Sequence, residues 1–419
     1  MQKVFEQLSS NVLEPSVLEG IARKTGAIVR KRKVGGKELL DMVLFDGDDS
    51  FNGMSMQLMR KHGLDISKQA LHQRHHENMT QFVKEVFEKL IAIELPPEET
   101  QGLEIYIKDA TRYALPAVMA DTFPGTKGDG MKAGATVQFE FELKIGKSDI
   151  KKTAANENDQ NESRLDKESI RPGALYIRDL GYTHLSYMSN IQAKKAFFIN
   201  KLLPKTTIYL LKDNKYKKLE LAKLQGMTGV FDEQVYIGEH KMPVRIIIEP
   251  VSEELKASRI ANTEKYNKKK GSTTTEDYKQ RMGFNFMVTN LPGEKYSAQL
   301  IQKLYHLRWQ IELVFKAWKS FLHIHSFPKG SANRITSILY SKLVWAVLSW
   351  KICMAIGKIG HVSVLKVHRL IACTKEELRA QLCGLCSTWL TMLAKLNVKH
   401  LAKEHKKYRL KTQEIVISI

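Results

Sequence analysis

The segment Tyr305 to Lys319, YHLRWQIELVFKAWK, carries one acid among several bases and many apolar residues. If it forms a single helix, the 100° turn per residue places its Tyr, Arg, Glu and Lys within an arc of about 60°. These residues are Tyr305, Arg308, Glu312 and Lys319. Taken alone, the stripe is explained by an Arg308–Glu312 pair at i,i+4, which stabilises a helix by about 0.2–0.5 kcal/mol. A catalytic interpretation therefore requires further acids.

Two aspartates supply them. Asp109 ends the apolar run LEIYIKDA, and Asp179 ends the strand-like run GALYIRDLGY. An isolated Asp at a strand end is most simply a turn former. Together with Glu312, however, the two provide three hard oxygen donors, which suit a pair of Mg²⁺ ions. Two such ions about 3.5–4 Å apart activate water and stabilise the leaving oxygen in phosphodiester cleavage.

The elements that must position these acids follow from the hydrophobic period. Residues up to about 95 have the helical period, and from about 101 the period changes to 2. ATVQFEFELKI (135–145) alternates strictly, which predicts a half-buried strand with Gln138, Glu140 and Glu142 on the polar face. Further strands are expected at 193–200 and 282–290, and a long helix begins near Ser297, a good N-cap. These elements predict an α/β core.

The region 203–281 interrupts this alternation. It contains four short strand-like runs, which predict a small sheet, and then a strongly basic segment that is helical or mobile. The basic segment supplies candidate contacts to a polyanionic partner, with a mobile solvated loop as the alternative. The candidates are Lys256, Arg259, Lys265 and Lys268 to Lys270.

The N-terminal helices contain a possible helix-turn-helix. A helix ends near Gly63, the turn LDIS follows, and KQALHQRHH forms a second, polar helix. Its basic and imidazole side chains are suited to phosphates: Lys68, His72, Arg74, His75 and His76. A plain helical hairpin with a solvated basic face explains the pattern equally well.

Composition favours a polyanionic partner. The 419 residues include 66 Lys plus Arg against 45 Asp plus Glu, a formal net charge of +21. Nucleic acid is the commonest partner of such a chain, and an ordinary basic enzyme is the alternative. The four cysteines exclude a disulfide scaffold. Cys383 and Cys386 have metal-ligand spacing, but buried thiols are the preferred interpretation because their surroundings are apolar.

No membrane segment is expected. The N-terminus lacks the pattern of a signal peptide. The most apolar stretch, 335–359, is interrupted by Lys342 and Lys351 and falls short of the roughly 20 apolar residues that a span requires. It is therefore predicted to be a buried helix, and the cytoplasm is the expected location.

These residues resemble the DDE transposases of bacterial insertion sequences, specifically the insertion-sequence-4 family. The family signature is Tyr, two residues, Arg, three residues, Glu, six residues, Lys, and this chain matches its spacing from Tyr305 to Lys319. The motif DLGY at Asp179 and the segment TNLP before the last helix are also similar. IKDAT at Asp109 is a weaker match, and Asp121 is the alternative first acid.

The resemblance implies a ribonuclease H-like catalytic core with a β-rich insertion domain, flanked by helical N- and C-terminal regions. The expected boundaries are 1–97 for a DNA-binding region, 98–202 and 282–335 for the core, 203–281 for the insertion and 336–419 for the C-terminal helices. Catalytic and metal-binding residues would be Asp109, Asp179 and Glu312, with two Mg²⁺ ions, or Mn²⁺ as a substitute. Phosphate-binding residues would be Tyr305, Arg308 and Lys319, with Trp309 able to stack on a base.

The resemblance also implies the function: binding of terminal inverted repeats, strand cleavage and strand transfer on double-stranded DNA by a synaptic homodimer, in a cut-and-paste reaction. Better-known members form a DNA hairpin, and some stack a Trp of the insertion on a flipped base. No Trp lies in 203–281 of this chain, so an aromatic residue there would substitute: Tyr209, Tyr216, Phe231, Tyr236 or Tyr266. Alternative functions are an inactive transposase that only binds DNA, and a structure-specific nuclease on the same core.

Overall fold

The computed structural model describes residues 6–30, 33–93, 102–126, 130–143, 146–157, 170–357, 362–382, 388–396 and 398–402. The chain divides into two compact units. The first unit contains Met1–Gln101, Asp109–Glu157 and Trp309–Ser418, and the second contains Gly102–Lys108 and Asn158–Arg308. Helices and a large sheet make the protein a mixed α/β structure, as the sequence predicts.

The first unit is mainly helical. Its N-terminal helices are α1 (Pro15–Lys24), α2 (Gly36–Asp46), α3 (Phe51–His62), α4 (Lys68–Arg74) and α5 (Glu77–Ala92). Its C-terminal helices are α10 (Trp309–Phe321), α11 (Ala332–Ile356), α12 (Val364–Cys373), α13 (Lys375–Leu382), α14 (Thr388–Lys395) and α15 (Val398–Leu401). It also holds β2 (Ala133–Glu142), β3 (Ser148–Ala154) and the second half of β1 (Ile105–Leu115), in the order β3-β2-β1.

The end of α2 shows how N- and C-terminal helices of this unit are joined. The last carbonyls of a helix have no partner within the helix and must find one elsewhere. Here Ser341 Oγ donates to the Val43 carbonyl at 2.9 Å, and Trp345 Nε1 donates to the next carbonyl, Leu44, at 2.6 Å. The Lys375 ammonium donates to the Phe45 carbonyl at 2.8 Å, where its charge also complements the helix dipole. Side chains of α11 and α13 therefore cap α2.

The helix α11 confirms the predicted buried apolar helix. By length and composition it could cross a membrane, yet 89% of its most apolar window lies buried inside the protein. Its lysines find acceptors in the interior: Lys342 Nζ donates to Asp48 Oδ2 at 2.9 Å and Lys351 Nζ donates to the Ile93 carbonyl. Such pairing is what allows a charged group to be buried.

The strand β2 corrects one prediction. Every residue from Ala133 to Glu142 is buried, including Gln138, Glu140 and Glu142, which the alternating pattern had placed in solvent. On the apolar face, the Phe139 ring lies 4.9 Å from Trp318 of α10 and 5.3 Å from Trp350 of α11. The prediction of a half-buried strand is wrong because the polar face of β2 is covered as well.

The second unit is built on a sheet of eight strands. In spatial order these are the first half of β1, β4 (Leu175–Arg178), β5 (Phe197–Lys201), β10 (Phe284–Thr289), β9 (Met242–Pro250), β8 (Phe231–Ile237), β6 (Ile208–Lys212) and β7 (Lys215–Lys218). The β1–β4 and β4–β5 pairs are parallel, and the others are antiparallel. The helices of this unit are α6 (Leu185–Ala193), α7 (Glu253–Lys269), α8 (Glu276–Met282) and α9 (Ala298–His306).

Its core forms where α6 packs on one face of the sheet. Met188 and Ile191 of α6 join Tyr176 and Phe198 of the parallel strands in one buried cluster. The cluster continues through Ile246 of β9, because β6, β8 and β9 extend the same sheet. The strands of region 203–281 thus share a sheet with β5 and β10, whereas the sequence predicted a small sheet of their own.

Candidate functional site

Asp179 stands where the sequence predicted it, directly after a buried strand. β4 ends at Arg178, and Asp179 precedes a 3₁₀ turn at Leu180–Tyr182 in extended conformation, with φ −75° and ψ 170°. The turn is fastened to the neighbouring strand, since Thr183 Oγ1 donates to the Lys201 carbonyl at 3.0 Å. This contact holds the backbone beside Asp179 in place. The Asp179 side chain is 40% exposed and therefore remains accessible.

Two residues of the predicted signature approach this carboxylate within the second unit. The Tyr305 hydroxyl lies 3.3 Å from Asp179 Oδ1 and donates to it, while Arg308 Nε lies 3.8 Å from the same oxygen. The Arg308 guanidinium is 6.0 Å from the centre of the Tyr305 ring. Burial, and then the charge of Asp179, raise the pKa of Tyr305 above its usual value. The phenol therefore stays protonated and acts as a hydrogen-bond donor across the physiological range.

A residue that sequence reasoning missed lies beneath Asp179. Arg178 is fully buried, with its guanidinium 4.1 Å from the Tyr187 ring, 5.9 Å from Tyr176 and 6.0 Å from Tyr182. A desolvated guanidinium over aromatic faces is a strong cation–π arrangement. It fixes the last residue of β4 and hence the backbone of Asp179. The available signal was an arginine at the final position of an otherwise apolar strand.

In the first unit, Asp109 differs from its prediction. β1 continues to Leu115, so Asp109 lies in the middle of a strand and does not end one. Its Oδ1 accepts a hydrogen bond from the Ala110 N–H at 2.8 Å, and the residue is partly exposed. The apolar run stops near Asp109 because the strand is buried on both faces only up to Lys108. From Arg112 onwards alternate residues are exposed. The alternative acid, Asp121, is exposed and follows the 3₁₀ turn Ala117–Met119.

The predicted long helix is broken. α9 ends at His306 and α10 begins at Trp309. Between them the Leu307 and Arg308 amides donate to carbonyls three residues back, at 2.9 and 3.1 Å, which tightens the chain into turns. The prediction that all four signature residues share one arc of a single helix is therefore wrong. The spacing of 100° per residue holds only within each of the two helices.

On α10 the projection still relates Glu312 to Lys319. They are seven residues apart, which is about 20° around a helix, so they share one face. Both are partly exposed, while Ile311, Val314 and Trp318 are buried. Trp309, at the start of the helix, is 51% exposed and offers an open indole face.

The structure separates the predicted DNA contacts by exposure. Helices α3 and α4 bracket the turn after Gly63, which adopts the left-handed conformation with φ +65°. Lys68 and His72 of α4 are exposed, but His75 is buried against the Phe51 ring at 5.5 Å, which makes its assignment to phosphate wrong.

Among the candidates on α7, Arg259 is also engaged within the protein. Its guanidinium donates to the carbonyls of Met282 and Phe284 and to Asn285 Oδ1. Of the aromatic candidates in this region, Tyr216 and Tyr266 are 47% and 57% exposed.

The metal and cysteine predictions have different outcomes. Within the described ranges, no three or more His, Cys, Asp or Glu side chains are grouped so that they could hold a metal ion. Cys353 is buried, and burial raises the pKa of its thiol to about 12, as expected for an inert structural thiol. Cys373 is exposed. Cys383 and Cys386 lie outside the described residues.

Comparisons with known proteins identify the family. A family model described as "Transposase DDE domain" matches residues 104–348, more than half of the chain. The transposase for insertion sequence element IS231C of Bacillus thuringiensis subsp. berliner is 30% identical over 373 residues, which cover 82% of this chain and 78% of that protein. The transposase for insertion sequence element IS1151 of Clostridium perfringens is 27% identical over 384 residues, covering 83% and 81%. The chain belongs to the transposase DDE domain family.

Proposed function

We propose that this chain is a DNA transposase of the insertion-sequence-4 type, which binds the terminal inverted repeats of its element and catalyses strand cleavage and strand transfer. The observation that carries the proposal is the environment of Asp179. The Asp179 carboxylate, at the end of β4, accepts a hydrogen bond from the Tyr305 hydroxyl and lies beside Arg308. Tyr305 and Arg308 are the first two members of the Tyr-Arg-Glu-Lys signature. DNA is the partner that a transposase requires, and the net charge of +21 is consistent with it.

Asp109, Asp179 and Glu312 are proposed as the catalytic acids. Asp179 is supported by its place directly after β4, beside Tyr305 and Arg308, and Asp109 is proposed from the resemblance of IKDAT. Glu312 is supported by its place on α10, on the same face as Lys319. Members of this domain family typically use divalent metal ions.

Although the described acidic side chains form no ready-made metal site, we propose that these three acids hold two Mg²⁺ ions, with Mn²⁺ as a substitute, through carboxylate oxygens of the kind these ions prefer. When bound, such ions supply positive charge at the attacking and leaving oxygens of a phosphodiester.

The remaining side chains are proposed to orient the phosphate. Arg308 has a planar fork of donors that fits two phosphate oxygens, and it is only 16% exposed, so little of its freedom is lost on binding. Lys319 would contribute a point charge. Tyr305, kept neutral by burial and by Asp179, donates one hydrogen bond without adding charge. Because Arg308 Nε lies 3.8 Å from Asp179 Oδ1, its guanidinium is placed to contact a phosphate beside that carboxylate.

The larger assembly is proposed from the same resemblance: a ribonuclease H-like core around β1, β4, β5 and β10, a synaptic homodimer, and a cut-and-paste reaction in the bacterial nucleoid. A hairpin step would require an aromatic face for a flipped base. Trp309, Tyr216 and Tyr266 are supported by their exposure. Lys68 and His72 of α4 are proposed to contact the DNA backbone, together with Lys265, Lys268 and Lys269 of α7 and Lys270, which follows that helix.

A joining assay tests the proposal. The purified chain is incubated with Mg²⁺, a donor plasmid carrying the element ends found beside its gene, and a target plasmid. A transposase cuts and joins, a nuclease cuts without joining, and a protein that only binds DNA does neither. Asp179→Asn and Glu312→Gln should abolish cleavage while a gel-shift assay shows unchanged binding to the ends.

A matched pair of variants decides the first acid. Asp109→Asn should abolish cleavage, and Asp121→Asn should leave it within about two-fold of the wild type, because only a carboxylate that works on the phosphate affects the rate so strongly. The reverse result would transfer the role to Asp121. Retained cleavage in Asp179→Asn would refute the assignment of the acids altogether.

A further inference from the structure

Lys201 lies beside Asp179 although no motif of the sequence marks it. It is the last residue of β5, the strand parallel to β4. Arg178 is paired with Asn200 in the register of these strands, so Asp179 and Lys201 are the next residues on each. Asn200 is buried, and the alternation of a strand turns Lys201 to the opposite face, where it is exposed.

The Lys201 side chain is directed at the signature tyrosine. Its ammonium nitrogen lies 5.6 Å from the centre of the Tyr305 ring, within the range of a cation–π contact. The Arg308 guanidinium lies 6.0 Å from the same centre. The Tyr305 ring is therefore contacted by two cations, and its hydroxyl reaches Asp179.

Charge is unbalanced around this ring. Asp179 lies beside Arg308, and no carboxylate in the part of the chain that the structure describes forms an ion pair with Lys201. The backbone of Lys201 is fixed as well, because its carbonyl accepts the Thr183 hydroxyl. An exposed ammonium that is held by an aromatic face and has no acid of its own is suited to bind an incoming anion.

We propose that Lys201 binds a backbone phosphate of the DNA beside Asp179, in addition to the residues of the signature. The inference rests on the proposed function, which brings a phosphodiester to this carboxylate. Arg308 and Lys201, which both contact the Tyr305 ring, then both contact the DNA. Lys201 is a DNA-positioning residue, and it takes no part in bond breaking.

The salt dependence of DNA binding tests this role. Each lysine–phosphate contact on B-DNA contributes about 0.9 to the slope of log K against log salt, because one counterion is released. Fluorescence anisotropy with a labelled duplex of the element end, over a series of salt concentrations, should give Lys201→Met a slope smaller by about 0.9. Lys201→Arg should restore the wild-type slope. Lys205→Met, which removes an exposed lysine from the following turn, is the matched control and should keep it.

Cleavage of the same duplex with Mg²⁺ is measured in parallel. Lys201→Met should lower the rate at saturating DNA at least about ten-fold, because a misplaced phosphate reacts slowly even when bound. An unchanged salt slope in Lys201→Met, or a loss of cleavage rate no larger than that of Lys205→Met, overturns the role of Lys201. Cleavage by the wild-type chain in the same experiment upholds the proposed function. If the wild-type chain itself neither cleaves nor prefers the element end, the proposed function is refuted, and the role of Lys201 with it.

Discussion

Two buried histidines should make the first unit sensitive to mild acid. His75, which follows α4, is 6% exposed, and His368 of α12 is fully buried. The pKa of each is lowered from 6.5 to about 4, mainly by burial, and for His75 the charges of Arg334, His72 and His76 contribute to the shift. For His368, a hydrogen bond to the Val364 carbonyl at 2.8 Å opposes the effect of burial without cancelling it.

The direction of the pH effect follows from these values. Between pH 6.5 and 4 the unfolded chain protonates both imidazoles, while the folded chain leaves them neutral. Proton uptake therefore favours unfolding, and stability falls as the pH is lowered through this window. Because of this difference in proton binding, each histidine should lower the free energy of unfolding by about 2 kcal/mol at pH 5 relative to pH 8. The free energy of unfolding of the first unit should then fall by about 4 kcal/mol for the pair.

Urea unfolding followed by tryptophan fluorescence measures this difference. All five tryptophans belong to the first unit: Trp309, Trp318, Trp345, Trp350 and Trp389. The double variant His75→Leu and His368→Leu should lose most of the change between pH 8 and pH 5, whatever its stability at pH 8. His325→Leu, an exposed control in the same unit, should retain it. If the double variant keeps the full pH dependence, burial of these imidazoles is not its cause.

Two further changes probe the second unit. Tyr305→Phe removes one hydrogen bond to Asp179, worth about 0.5–1.5 kcal/mol, so single-turnover cleavage should slow by about 2- to 12-fold; complete loss would mean that the hydroxyl takes part in the chemistry. Arg245→Met removes a buried guanidinium that binds Asp232 through both oxygens and donates to the Tyr296 carbonyl at 2.6 Å. The loss of about 3 kcal/mol should speed hydrogen exchange at least about ten-fold in the segment before α9, and unchanged exchange would contradict this anchoring role.

The parallel centre of the second unit could be predicted from the sequence because its signals are local. An apolar run of a few residues ended by Asp179 and a glycine predicts a buried strand and a turn, and β4 follows that pattern. The next strand, β5, was also expected, at 193–200. Burial on both faces produces continuous apolar runs in such strands, so hydrophobicity alone identifies them.

The remaining errors arise where tertiary contacts override a local pattern. β2 alternates strictly, yet its polar side chains are buried because both of its faces are covered. α9 and α10 are separated by residues Leu307 and Arg308, neither of which is a helix breaker, so the sequence carries no signal for the break. Asp109 was predicted to end a strand because apolar character stops there, but the strand continues to Leu115. In each case a local pattern was extended to a whole element, whose burial or length is set by contacts with other parts of the protein.

Burial also shows which cations can account for DNA binding. Among the described positions, seven Lys and Arg residues are buried: Lys108, Arg178, Arg245, Arg334, Lys342, Lys351 and Arg379. They hold strand ends, caps and loops, and they are too deep to displace counterions from DNA. Four buried acids partly offset them, so the surface remains strongly basic and should bind DNA of any sequence with a steep salt dependence. Substituting distant exposed lysines should thus weaken affinity alone, whereas Lys201 and Arg308, beside the reactive carboxylate, should affect the rate of the bound complex as well.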